Sequence, residues 1–139
     1  MAIVLPAVGE DRLLARALGK VVPTDGDVTL KLYVNDYTPV TGSVAGSFTE
    51  MSTNGYAAKT LAQESWTVSQ VSSKASASYA QQTWTFDDTG GENTIYGYFV
   101  IDEDAVVLWA ERFADPRTVG AVSGDVLRLT PVITLDTEV

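Results

Sequence analysis

The 139-residue chain contains no cysteine and no histidine. The first absence removes disulfides, thiolate nucleophiles and cysteine-based zinc or iron–sulfur sites, and the second removes the commonest general base and the commonest transition-metal ligand. Most routine catalytic machinery is thereby excluded. Basic residues are scarce too: nine lysines and arginines face eighteen aspartates and glutamates, for a formal net charge of −9. The deficit is uneven, because residues 1–20 hold Glu10 and Asp11 against Arg12, Arg16 and Lys20, a net of +1 that leaves −10 on the rest. From Ala75 to Glu111 there is no basic residue at all. So acidic a body excludes nucleic acid as a partner, which wants clustered lysine and arginine. No segment approaches the roughly 18 apolar residues that a membrane helix needs, so no membrane partner is expected. The opening MAIVLPAVGEDR lacks a basic n-region and carries a proline in its apolar run, which is not the pattern of a signal peptide. A soluble protein made in the cytoplasm is expected.

What the chain has is β-forming sequence, concentrated between Tyr79 and Phe113. There YAQQTWTF, TIYGYFVI and AVVLWAERF are separated by the polar turns DDTGGEN and DED. Runs of about eight residues rich in aromatic and β-branched side chains, divided by short turns, predict a three-stranded antiparallel meander. In the first run Trp84 and Phe86 share one face, with Thr83 and Thr85 on the other. The other two runs are apolar on both faces: Ile95, Phe99 and Ile101 oppose Tyr96, Tyr98 and Val100, while Ala105, Val107 and Trp109 oppose Val106, Leu108 and Ala110. Adjacent strands with two apolar faces need two cover layers. One would be the opposite sheet of a sandwich, the second the N-terminal segment or another subunit.

Taken in order, residues 1–9 predict an extended apolar arm broken by Pro6. Glu10 to Leu18 predicts one short helix, with acidic residues in its first turn, Arg16 near its last, and Gly19 at the capping position. Leu13, Leu14, Ala17 and Leu18 form its apolar stripe, and a helix this short must dock on something. Val28 to Val34 predicts a strand. Val44 to Glu50 reads as a strand, Asn54-Gly55 as a turn, Tyr56 to Ala62 as a strand or a helical turn, and Ser65 to Val71 as a strand. Ser72 to Ser78 either continues that strand or forms a loop. Val126 to Leu135 predicts the last strand, with Pro131 forcing an edge or a bulge. About eight strands at regular spacing predict an all-β, antiparallel sandwich, jelly-roll-like or immunoglobulin-like. The expected division is an arm and helix over residues 1–20 and a sandwich domain over residues 21–139.

Chemistry is confined to the acidic turns. Asp87, Asp88 and Glu92 around Gly90-Gly91, and Asp102, Glu103 and Asp104, offer oxygen ligands for calcium, but their spacing matches no EF-hand loop. Solvated turns are the plainer reading. In a meander the two turns sit at opposite ends of one strand, roughly 26 Å apart at ~3.3 Å per residue, whereas glycosidase carboxylates lie roughly 5–10 Å apart. No hydroxyl has a histidine or cysteine partner, and no phosphate-binding loop precedes a helix. The sequence therefore assigns no catalytic, cofactor-binding or metal-binding residue, and no enzyme is expected. Surface is what remains. Trp66, Trp84 and Phe86 suit a core; Tyr96, Tyr98 and Trp109 exceed what so small a sandwich is expected to bury and become interface candidates, together with Leu13 and Leu14 on the helix.

The runs LKLYVND followed by a Thr-Pro turn, GYAA, WTF, IYGYF and LWAERF resemble small structural proteins of tailed bacteriophages, in particular the capsid decoration, or cement, proteins built as trimeric jelly rolls. The likeness spans roughly residues 28–135 and rests on packing motifs. It implies a non-enzymatic virion structural protein, synthesised in the host cytoplasm. Such a protein binds the outside of the capsid as a homotrimer and clamps subunits of the major capsid protein. It transfers no site residue. The alternative is a carbohydrate-binding adhesin module of a tail or fibre, in which the same aromatics would serve as stacking platforms. Folding of the arm against its own sheet is the plainer reading; under the capsid reading the N-terminal segment, which is not acidic like the body it precedes, is expected to dock on a neighbouring subunit or on the capsid protein.

Overall fold

The computed structural model describes residues 3–135, so the first two residues of the arm and residues 136–139 of the sandwich domain lie outside it. One helix, α1 (Ala7–Ala17), precedes nine strands: β1 (Val28–Tyr33), β2 (Lys59–Leu61), β3 (Thr67–Val71), β4 (Lys74–Ser78), β5 (Gln82–Phe86), β6 (Asn93–Ile101), β7 (Val107–Val119), β8 (Asp125–Leu129) and β9 (Val132–Leu135). All pairings are antiparallel, and the architecture is the expected all-β sandwich. One layer is a four-stranded sheet in the order β2-β1-β6-β7. The other is drawn as two sheets, β3-β4-β9 and β5-β8, but it is physically one bent ribbon. Ser78 pairs with Val132 and Gln82 with Leu129, and between them Tyr79 donates its N–H to the carbonyl of Pro131 at 2.9 Å. Pro131 has no N–H to continue the ladder, so the ribbon breaks and turns there.

The meander is only half right. β6 and β7 form the expected hairpin, but β5 pairs with β8 and belongs to the opposite layer. The cause is the segment after Phe86, which crosses between layers. Asn54, buried and at φ 59°, donates its side-chain amide to the carbonyls of Asp87 and Gly91 and so pins that crossing to the Asn54-Gly55 turn.

Both faces of β6 and β7 are indeed covered. Between the layers, Leu30, Leu32, Tyr98 and Val100 meet Trp84, Phe86 and Leu127. On the outer face, Tyr33, Phe99, Val107 and Ala110 are covered by Phe48, with Tyr37 and Ala45 beside it. Phe48 stacks on Phe99 at 4.6 Å between ring centres and tilts against Tyr33 at 5.0 Å. The second cover is thus the connection between β1 and β2, part of the body itself. Where Val44 to Glu50 was expected to be a strand, the chain makes a short 3₁₀ turn at Ala45–Ser47, because its task is to lay Phe48 over the sheet. A bulge between Ile95 and Gly97 also exchanges the faces of β6, placing Ile95 with Tyr98 inside and Tyr96 with Phe99 outside.

The N-terminal segment packs on its own chain. Val4 and Ala110 exchange both backbone hydrogen bonds, at 2.8 and 2.9 Å, so the arm extends the sheet at the edge of β7. Ile3, Leu5 and Leu13 pack on the central core. Gly9 sits where any side chain would strike the carbonyl oxygens of Leu108 and Val107. Gly9→Ala should therefore cost about 1–3 kcal/mol through overpacking against backbone. A urea midpoint unchanged from wild type would show that the helix is not seated there.

Burial also raises the phenols. Tyr33 is pushed up to about 12 by desolvation, and burial drives Tyr56 and Tyr98 up as well. A phenol that ionises later when folded than when unfolded leaves stability intact below pH 10, the ordinary value, and removes it as pH rises from 10 through about 12. An alkaline titration should show part of the six-tyrosine signal appearing only with the loss of near-ultraviolet circular dichroism.

Candidate binding groove

Helix α1 begins three residues before its expected start, with Pro6 at its N-cap, whose carbonyl accepts the N–H groups of Gly9 and Glu10 at 2.8 and 2.9 Å. It ends as expected: Gly19 takes φ 66°, and Lys20 returns its N–H to the carbonyl of Ala15 at 2.8 Å. Three sides of the helix have three tasks. One seats Gly9 on β7. A second carries Arg12 and Arg16 to Asp102, at 3.3 and 3.4 Å, with Arg12 also reaching Asp104 at 2.9 Å. The Asp102 side chain is 0% exposed and its other oxygen accepts the backbone N–H groups of Asp104 and Val106, both at 3.0 Å. An acidic turn that looked like solvated punctuation is therefore the anchor of the helix.

The third side faces the apolar surface of the β3-β4-β9 sheet across a gap. Register places Val68, Ala77 and Ile133 in one row and Ala75 with Leu135 in the next, all on the face toward the helix. Leu5, Leu13 and Leu14 form the opposite wall, and the groove between them encloses about 470 Å³. Glu10 is its one charged lining residue. At its inner end Leu13, Ala77 and Ile133 also border a recess of about 200 Å³ that reaches Trp66 and Trp109. The alanines keep the floor low while leucine and valine raise the walls. Such a site binds by apolar contact.

Of the residues expected at an interface, two lie here. Leu13 lines both spaces and is partly buried, and Leu14 is 61% exposed at the rim. The other three are placed elsewhere. Tyr98 and Trp109 belong to the chain's own core, at 2% and 4% exposure. Tyr98 donates its hydroxyl to Glu111 at 2.9 Å and Trp109 meets Trp66 edge-on at 6.0 Å. Tyr96 is partly buried beneath the Arg112 guanidinium, 5.0 Å from its ring. The expectation that these three were surplus is corrected. The ribbon, the arm and the β1–β2 connection supply more cover than a plain two-layer sandwich, and no aromatic residue of the chain is left exposed. Sequence reading missed Val68 and Leu135, 74% and 59% exposed. The signal for Val68 was its place between Thr67 and Ser69, and for Leu135 its place two residues after Ile133 on one face of the last strand.

Among the described residues no group of three or more acidic side chains is placed to hold a metal ion. Asp87 uses its carboxylate on Thr89, whose hydroxyl and N–H both donate to it and hold its carboxyl below the usual range. No protein-family model matches the chain, and no curated protein matches it either.

Asp102→Ala should leave Arg12 and Arg16 facing a vacated buried site and cost about 3–5 kcal/mol. Chemical denaturation measures it; a loss under 1 kcal/mol, no more than an exposed pair contributes, would remove Asp102 as the anchor.

Proposed function

We propose that the protein is a non-enzymatic adhesive module of a phage particle, one that binds the outside of the capsid and clamps subunits of the major capsid protein. The observation that carries this reading is the groove between α1 and the β3-β4-β9 sheet, an aliphatic surface held open by a clamped helix. Burying it supplies adhesion at roughly 25 cal/mol per Å² before association costs. The phage setting comes from the resemblance of the packing motifs. A carbohydrate-binding adhesin finds less support, because sugar stacking needs exposed aromatic faces and every ring here is buried or partly covered.

Leu14→Asp tests it. The side chain is 61% exposed, so the fold should keep its stability to within about 0.5 kcal/mol. A carboxylate on the groove wall opposes apolar docking, and co-sedimentation with capsids that lack the protein should weaken at least tenfold. Capsid binding at wild-type strength would remove the groove from the adhesive site, and failure of the wild-type protein to sediment with such capsids would sink the capsid reading altogether.

A further inference from the structure

The described residues of the β3-β4-β9 sheet carry little charge. The five residues of β3, five of β4 and four of β9 include no carboxylate and a single charge, Lys74, in a chain with eighteen acidic residues. None of the fourteen is buried. β3 is an edge strand, exposed along its whole length and paired to β4 without a register shift. Edge strands are ordinarily kept from pairing by charge, proline or a bulge. β3 has none of these.

Its free backbone groups can be assigned. Ser72 and Ser73, at φ 51° and 65°, join β3 to β4 in a two-residue turn with both central residues left-handed. In such a hairpin the pair beside the turn, Val71 and Lys74, exchanges both hydrogen bonds, and bonding then alternates along the strand. Thr67, Ser69 and Val71 thus face β4, while the N–H and C=O groups of Val68 and Gln70 face outward.

We propose that two copies of the chain pair antiparallel through this edge, about a two-fold axis at Ser69. The edge is self-complementary in that register. Val68 of each copy lies opposite Gln70 of the other, and the outward donors and acceptors satisfy one another reciprocally. The two Ser69 residues then face each other in the non-hydrogen-bonded position. Two acidic bodies approach with least repulsion where neither presents a carboxylate, and this sheet is such a place. Joining the edges makes a six-stranded sheet that carries both grooves on one face, so the seam also shields Val68, 74% exposed in a single copy. The inference does not rest on the capsid reading, and it gives a two-fold dimer where the resemblance implies a homotrimer.

Light scattering on a sizing column should give twice 14.9 kDa at high concentration, falling toward the monomer on dilution. A monomer at every soluble concentration, or a threefold mass, overturns the pairing. Gln70→Pro removes an outward N–H and leaves the β4 ladder untouched, and Ser69→Lys sets two ammonium groups opposite each other across the axis. Each should shift dissociation at least tenfold toward the monomer with unchanged circular dichroism, and a dimer that survives Ser69→Lys places the seam elsewhere. Should Gln70→Pro fail to fold, the serine variants decide. The chain has no cysteine, so Ser69→Cys gives one thiol per copy, placed for a disulfide across a non-hydrogen-bonded pair. Mild oxidation should link it into dimers, while Thr83→Cys, at an exposed position of β5, should stay unlinked. Equal linking of both variants overturns the assignment.

Discussion

The structure depends on one constraint: β6 and β7 are apolar on both faces, and both faces must be covered. A sandwich covers one face by construction. The other would lie open to water, and the chain answers by folding the connection between β1 and β2 back across it, with Phe48 stacked on Phe99 and Tyr33 tilted against both. Arg112 fastens that connection from below, donating to the carbonyl of Tyr37 at 3.1 Å and pairing with Asp36 at 2.7 Å. The N-terminal arm then closes the edge of β7. Each of these pieces has little reason to be ordered alone, and each is held by the same two strands.

Covering the sheet so fully moves the protein's adhesive potential outward. With every aromatic ring engaged, the apolar surface that remains is aliphatic, and part of it lines the space between α1 and the outer half of the ribbon. It persists as a groove because the helix is not free to close it. Gly9 fixes one side of the helix against β7, and Arg12 and Arg16 fix another against Asp102. The desolvation of Asp102 is offset by two guanidinium partners and two backbone donors, an arrangement that is costly to disrupt and leaves Leu13 and Leu14 facing space.

Much of the fold was legible in the residues. β1 and the β6–β7 hairpin follow from β-branched and aromatic runs of the right length, and the break at Pro131 follows from a missing N–H. What could not be read was long-range. Ser72-Ser73 lacks the glycine or asparagine that announces a two-residue turn, so the β3–β4 hairpin passed for a continued strand or a loop. The crossing after Phe86 depends on the side chain of Asn54, more than thirty positions away, and no local pattern encodes it. The groove was half visible. The helix stripe gave Leu13 and Leu14, but the opposing wall is weakly patterned sequence of valine, alanine and serine whose partner is set by the fold. Tyr98 and Trp109 were misplaced because counting aromatics against a two-layer sandwich leaves out the cover that irregular connections provide.

The bend at Tyr79 and Pro131 divides the ribbon into halves with different fates. The inner half, β5 with β8, sends Trp84, Phe86 and Leu127 into the core and shares the cooperativity of the whole domain. The outer half rests on few buried contacts, and β3 on none of its own. Local opening costs least where burial is least, and that ranks the outer half below the core in local stability, with Ile133 as its tie to the core.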